Sequence, residues 1–400
     1  MNLVFVAPFA FSPKATVSAR MLPMAAALVA RGHSVRVLVP PYDHLQDSGH
    51  TWEQDGVIVE NMRASGSGAR EIWSLAGQLE VRAAILRPDL IHIFKPVGPG
   101  ALALTRSKFA GLPRWSAPVI VDNDDWEGPG GWLDAIARPR LAKAFLAWQE
   151  GWTLGHARAV TCASEALVAR TGELAPGVPT ALLPNGSSQS LRAEIAGLEP
   201  AREALRAGYG WRDKQVLIYL GTIPAVHDMD IALAAFKAAA DSNSNLIWCV
   251  IATGEGLGLF RQAADQSGVG QRIEWHAFMP HLEAMRRLVA ADMAVYPYRD
   301  TNINRAKCSG KIIDYMAAGK PMVVSDVGMN RVYLKDGEHA LLTPPGDGAS
   351  FAAALQRLLG EPAYANALGA AAQRRLWETF AWDGRIAELE QLYANCVAAK

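Results

Sequence analysis

The segment Arg305-Ala-Lys307-Cys-Ser309-Gly310-Lys311-Ile-Ile-Asp314-Tyr315 gathers polar chemistry where a helix should begin. Ser309 occupies the place of an N-cap, and the helix predicted over 310–318 closes at Gly319, with Pro321 two residues beyond. The unpaired N–H groups of such a first turn, together with the helix dipole, attract phosphate. Lys307 just before the turn and Lys311 within it add two point charges, a spacing that suits a diphosphate. Asp314 follows Lys311 by three residues on the same helix face, so its carboxylate can accept hydrogen bonds from ribose hydroxyls while Lys311 meets phosphate. A solvated surface ion pair has the same spacing. On spacing alone both readings stand.

A second concentration, Asp122-Asn123-Asp124-Asp125-Trp126-Glu127, directly follows the apolar run 119–121. Open α/β sheets bind ligands at the carboxyl ends of their strands. Like charges this close cost energy unless something compensates them. A carboxylate here, Asp124 or Asp125, can therefore stabilise a cationic centre or accept a hydroxyl proton. The plain alternative is a turn followed by a helix cap.

The elements that must hold these residues can be read along the whole chain. Its 400 residues are half apolar, enough for two domains with large cores. Strands are expected at 3–7, 34–39, 57–60, 90–94, 119–122 and 159–162, then at 216–220, 246–251, 273–278, 293–296 and 321–324, with helices between most of them. Near-continuous apolar strands imply parallel sheets covered on both faces. The fold class is thus α/β, with two doubly wound Rossmann-like domains facing across a cleft. The expected division is 1–190, 191–379, and a C-terminal helix in 380–400 that crosses back onto the first domain. One helix is expected over 15–30, bent at Pro23.

Composition excludes several classes. Lys plus Arg and Asp plus Glu both number 39, so the net charge is zero and nothing suggests a general nucleic-acid binder. Cys162, Cys249, Cys308 and Cys396 stand far apart with no C-x-x-C pair, which predicts neither zinc site nor disulfide framework and fits a reducing cytoplasm. No stretch approaches a membrane span. Basic residues do accompany tryptophans: Arg138, Arg140 and Lys143 with Leu141, Phe145, Trp148 and Trp152, and Arg106, Lys108 and Arg114 near Trp115. That pattern fits either peripheral docking on anionic lipid at the inner face of the plasma membrane or a core stripe with a solvated face.

The stretch from Asn304 through Gly319-Lys320-Pro321-Met-Val-Val-Ser325-Asp326-Val-Gly328, followed by Leu341-Leu-Thr-Pro-Pro345-Gly346-Asp347, resembles the donor-binding core of the retaining GT-B glycosyltransferases, family four. Arg20, Arg31-Gly32-His33, Val160-Thr-Cys-Ala-Ser164 and Leu183-Pro184-Asn185-Gly186 resemble the family's N-terminal half; Tyr219-Leu-Gly221, Ala252-Thr-Gly254-Glu255-Gly256 and Phe380-Ala-Trp382 resemble its C-terminal half. The resemblance implies a nucleotide-diphosphate sugar in the second domain, a saccharide or lipid-linked acceptor in the first, and transfer with retention at the anomeric carbon. It requires no metal and no other cofactor. Donor binding then falls to Gly221, Thr222, His227, Arg305, Lys307, Ser309, Gly310, Lys311 and Asp314, with Lys311, Asp124 and Asp125 as the catalytic candidates. Backbone around 278–281 is the expected partner of the nucleobase.

The sequence departs from the family at defined places. Of two glutamates eight positions apart, the second aligns with Asp314 and the first with Ala306. The arginine and lysine usual after the second domain's first strand are replaced by Thr222 and His227, and the usual first-domain histidine by Asp124. The loop 11–16 lacks the family's glycine pair. Two other functions therefore stay open at this level: a nucleotide-sugar epimerase of the same architecture, and a binding or scaffold protein that has lost catalysis. The biosynthesis of a cell-envelope or exopolysaccharide glycan is the pathway class the resemblance suggests.

Overall fold

The computed structural model describes residues 1–11, 16–109, 115–224 and 228–398. The chain forms two compact units: Met1–Gly186 with Ala306–Cys308 and Trp382–Lys400, and Ser187–Arg305 with Ser309–Ala381.

Among the described residues the first unit is built on eight strands: β1 (Asn2–Val6), β2 (Ser34–Val39), β3 (Thr51–Gln54), β4 (Val57–Asn61), β5 (Leu90–Phe94), β6 (Val119–Asn123), β7 (Ala159–Cys162) and β8 (Thr180–Leu182). Their order is β3-β4-β2-β1-β5-β6-β7-β8. Every pairing is parallel except the β3/β4 hairpin at one edge. The order reverses between β1 and β5, and such a switch point is where doubly wound sheets open a crevice at their carboxyl ends. β5 and β6 are buried along their whole length, as strands covered on both faces must be.

Among its described residues the second unit has six strands, all parallel: β9 (Gln215–Thr222), β10 (Leu246–Thr253), β11 (Ile273–His276), β12 (Met293–Tyr296), β13 (Met322–Ser325) and β14 (Leu341–Thr343). Their order β11-β10-β9-β12-β13-β14 puts the switch point between β9 and β12. A core of Trp248, Phe236, Phe260 and Phe351 covers one face of the sheet.

Three short strands and one helix differ from the sequence expectation, whereas the C-terminal helix follows it. The short strands β3, β8 and β14 carry three to four residues each, too few for a periodic signal. The expected helix over 15–30 is divided: Thr16–Met21 winds in π register and Leu22–Ala30 is α-helical, with Pro23 in its first turn. Proline lacks the N–H that a continuous ladder would need, so the register changes just before it. The C-terminal helix, Trp382–Ala398, buries Trp382, Ile386, Leu389, Tyr393 and Cys396 in the core of the first unit, against Phe5, Leu28 and Phe94.

Candidate active site

In the second unit the helix Gly310–Ala317 starts behind the carboxyl ends of β9 and β12. Ile312, Ile313, Tyr315 and Met316 bury its apolar face. The Tyr315 hydroxyl accepts the Leu220 N–H at 3.0 Å, which fixes the helix to the last turn of β9. Ser309 stands at the N-cap position with extended backbone, but its hydroxyl makes no capping hydrogen bond. The expected cap bond is therefore absent, and the first-turn N–H groups are not taken up by this side chain.

Lys311 leaves that first turn and lies directly over Gly221. A Cβ at Gly221 would stand 1.7 Å from the Lys311 Cε and 2.5 Å from its Nζ, and the glycine's φ of +135° is one that side-chain-bearing residues rarely adopt. The ammonium sits 5.7 Å from the ring centroids of both Tyr219 and Tyr296, one on β9 and one on β12. The cation is thus delivered to the switch point of the sheet. Asp314, three residues on, takes the His281 Nε2 at 3.3 Å, and the other ring nitrogen lies 3.8 Å from the Glu194 carboxylate. The hydrogen bond to Asp314, with added attraction from both carboxylates, raises His281 to about 9, so it is a cation at neutral pH.

The other expected donor contacts are placed differently. Arg305 grips Asp300 through two hydrogen bonds, at 2.5 and 2.8 Å, and is half exposed. Lys307 belongs to the first unit, its ammonium 5.8 Å from the Trp132 ring. Ala306 is fully buried and supplies no carboxylate where the family has its first glutamate. Thr222 ends β9 on the surface. His227, residues 12–15 of the first loop and Arg114 lie outside the described residues. Asp228 is described, and its carboxylate binds the Arg299 backbone N–H at 3.1 Å and the Asn304 amide at 3.0 Å, folding the approach to the helix.

In the first unit the acidic run continues from the carboxyl end of β6. Asp122 is fully buried and held by a two-pronged Arg20 contact at 2.6 and 2.7 Å, with the Thr161 hydroxyl donating at 2.6 Å. Burial alone would raise Asp122, but Arg20 reverses this and holds the carboxyl below its ordinary value. Asp124, Asp125 and Glu127 converge on one cation, Lys95, at 3.0, 2.5 and 2.7 Å. Lys95 hydrogen-bonds Asp125 and Glu127, while Asp124 Oδ1 is buried in ion-pair contact and has no hydrogen-bond partner. Burial, reinforced by Asp125 and Asp122 against the pull of Lys95, raises Asp124 to about 6. This carboxyl changes charge close to neutral pH. Lys95 escaped the sequence reading because nothing around it marks a lysine with a left-handed backbone (φ 71°).

A cysteine pattern is no guide to another grouping. Cys249, Glu274 and His276 on β10 and β11 offer ligand atoms within 4.8 Å of one another, brought together by strand register. The Arg287 guanidinium faces the same thiol, and its charge opposes a cation there.

A model of the family described as "Glycosyl transferase 4-like domain" matches residues 16–186, and one described as "Glycosyl transferases group 1" matches residues 214–361. The chain belongs to this glycosyltransferase family and has its two-sheet GT-B architecture. A phosphatidyl-myo-inositol mannosyltransferase of Mycobacterium leprae is 25% identical over 365 residues, covering 90% of this chain and 87% of that protein. A D-inositol 3-phosphate glycosyltransferase of Thermomonospora curvata is 28% identical over 235 residues, 56% of this chain, and the match spans only about half (52%) of that relative. Among solved structures, Anabaena Alr3699/HepE in complex with UDP and glucose superposes with a TM-score of 0.70 at 16% identity, over 98% of this chain and 99% of that one.

Proposed function

We propose that the protein transfers a hexose from a nucleoside-diphosphate sugar to an acceptor hydroxyl, with retention of the anomeric configuration and without a metal. The observation that carries this reading is Lys311, set over Gly221 at the β9/β12 switch point in the first turn of its helix. When the bond between the sugar and the diphosphate breaks, negative charge grows on the leaving phosphate and positive character on the ring. Fixed donors on the phosphate are then the main requirement, and Lys311 and the N–H groups from Gly310 onward supply them. Asp314, steadied by His281, accepts from the ribose. Asp124, with Asp125 beside it, serves the other partner: its negative charge offsets the cationic ring or takes up the acceptor proton. The relatives named for inositol phosphate and phosphatidyl-inositol acceptors, and the UDP and glucose in the Anabaena structure, support the class of both substrates. A glycan of the cell envelope is the product class that fits them.

The acceptor we favour is lipid-linked. The helix Arg140–Gly155 exposes Leu141, Phe145 and Trp148 on one face, and Arg138, Arg140 and Lys143 flank them. Phe109 is exposed beside it, stacked on Trp152 at 5.6 Å. Apolar rings rimmed with basic groups suit an anionic leaflet at the cytoplasmic face. Among the described residues no helix is long and apolar enough to cross a membrane. Sedimentation with phosphatidylglycerol vesicles, but not phosphatidylcholine vesicles, is the expected result, lost in Leu141→Glu/Trp148→Glu.

The donor reading is tested by thermal shift with UDP, GDP, ADP, TDP and CMP on wild type and Lys311→Ala. A ligand at about 100 times its Kd stabilises by ~2.7 kcal/mol. Stabilisation by one diphosphate, lost in the variant, is expected and names the base. No shift with any of them would return the chain to a binding or scaffold role.

A further inference from the structure

We propose that Lys95 is a positioning residue for the transfer reaction: its ammonium gathers Asp124, Asp125 and Glu127 at the end of β6 and sets how readily Asp124 takes and releases a proton. The inference rests on the role given to Asp124 above. Three features of the fold converge on it.

The first is the backbone. Lys95 directly follows β5, next to the β1/β5 switch point, and its N–H bonds the Asp122 carbonyl at 2.8 Å. Its φ of 71° is left-handed, a conformation that costs a side-chain-bearing residue roughly 1 kcal/mol or more. A packing lysine gains nothing from such a turn; here the turn accompanies an ammonium buried under the acidic loop. The second is the count of charges. One buried cation faces three carboxylates within 3.0 Å, and Arg20 is already committed to Asp122. Among the described residues the ion pairs at this cluster thus set two cations against four carboxylates. The third is the division of bonds. Lys95 spends hydrogen bonds on Asp125 and Glu127, so Asp124 receives its charge without a hydrogen bond at Oδ1 and stays open to a proton.

Asp124 is faced by Lys95 after β5, by Asp125 on its own loop, by Asp122 on β6, and by Thr16 and Arg20 on the first helix, while Glu127 meets it through the shared Lys95 ammonium. Tyr42, after β2, is buried within reach of Lys95, Glu127, Asp43 and Arg138. Of these groups Lys95 is the cation in direct contact with the Asp124 carboxylate. Substitution there should act on Asp124 in a predictable direction, and substitution of Glu127 in the opposite one.

The test is a carboxyl-carbon NMR titration of the full-length protein labelled at aspartate, with Asp124 assigned by its loss in Asp124→Asn. Wild-type Asp124 should titrate at about 6. In Lys95→Met the midpoint should rise by about one pH unit or more, because an adjacent opposite charge commonly moves a carboxyl that far; Lys95→Arg should restore most of it. In Glu127→Gln the ammonium is shared by fewer acids, and the midpoint should fall. That arm remains informative if Lys95→Met does not fold. An unmoved Asp124 midpoint in Lys95→Met, or an unmoved or raised one in Glu127→Gln, overturns the proposal. Full transferase activity of Asp124→Asn would instead remove the catalytic reading of Asp124, whatever the titrations show.

Discussion

The Lys311 ammonium lies over the β9/β12 switch point, 5.7 Å from the rings of Tyr219 and Tyr296, and is the charge proposed to meet the leaving diphosphate. Lys311→Ala is expected to lower turnover at least about tenfold, up to the ~2–4 kcal/mol of barrier that a lost charge contact in a transition state commonly costs. The melting temperature should hold, because the helix is anchored by its buried apolar face and by Tyr315. Unchanged kcat in a well-folded variant would take Lys311 out of the mechanism. Asp124 makes a prediction of opposite sign for stability. Its folded pKa of about 6 lies above its ordinary value of 3.8, so the stability this group contributes is present below about pH 4 and is lost as pH rises through 6. Asp124→Asn has no such loss. It should melt at least ~2 °C above wild type at pH 7.5, with the gap closing towards pH 4, while losing activity. An Asp124→Asn protein less stable than wild type at pH 7.5 would mean that Lys95 more than compensates the buried charge.

At the scale of the element, β9 carries a glycine at its penultimate position, Gly221, where the helix Gly310–Ala317 needs the space for Lys311. Gly221→Ala puts a methyl where the Lys311 Cε stands, in a backbone conformation that already disfavours alanine. Diphosphate affinity should fall at least about tenfold, and about 1–2 kcal/mol of stability should go with it. Adding Lys311→Ala to that variant relieves the contact but not the affinity, so part of the melting temperature should return while diphosphate binding stays lost. Retained affinity in the single variant would show that Lys311 reaches the phosphate from elsewhere. This element was legible in the sequence: an N-cap residue, a glycine-ended helix and a proline beyond it are local signals. The lysine that organises the other half was not. Its position depends on a left-handed turn after β5 and on charges 29 to 32 residues away in sequence, and no periodicity encodes either. The pairing of Arg305 with Asp300 was illegible for a related reason, since the spacing of Arg305 suits phosphate as well as it suits that carboxylate.

Across the whole molecule, the C-terminal helix ties the end of the chain to the acidic site of the first unit. Tyr393 contacts the His92 Nδ1 at 2.7 Å, His92 Nε2 meets the Thr161 hydroxyl at 3.2 Å, and Thr161 bonds Asp122, which holds Arg20. Burial pushes His92 down to about 4, so it is neutral in this chain; the stability it contributes is present above pH 6.5 and is lost as pH falls through 4. Truncation after Ala381 removes five buried side chains from the core of the first unit and leaves His92 without its Tyr393 partner, a deficit on the order of 10 kcal/mol at roughly 2–5 kcal/mol for each large apolar residue. Of the proposed donor contacts, Gly221, Gly310, Lys311 and Asp314 belong to the second unit and Lys307 to the first. Calorimetry of the truncated chain should therefore show one transition greatly lowered or lost and another still raised by the diphosphate that stabilises wild type. Simultaneous loss of both transitions would mean that the second unit has no fold of its own. Tyr393→Phe separates packing from polarity, because it keeps the ring and should lower the first transition alone, by the ~1–3 kcal/mol of an unsatisfied buried group.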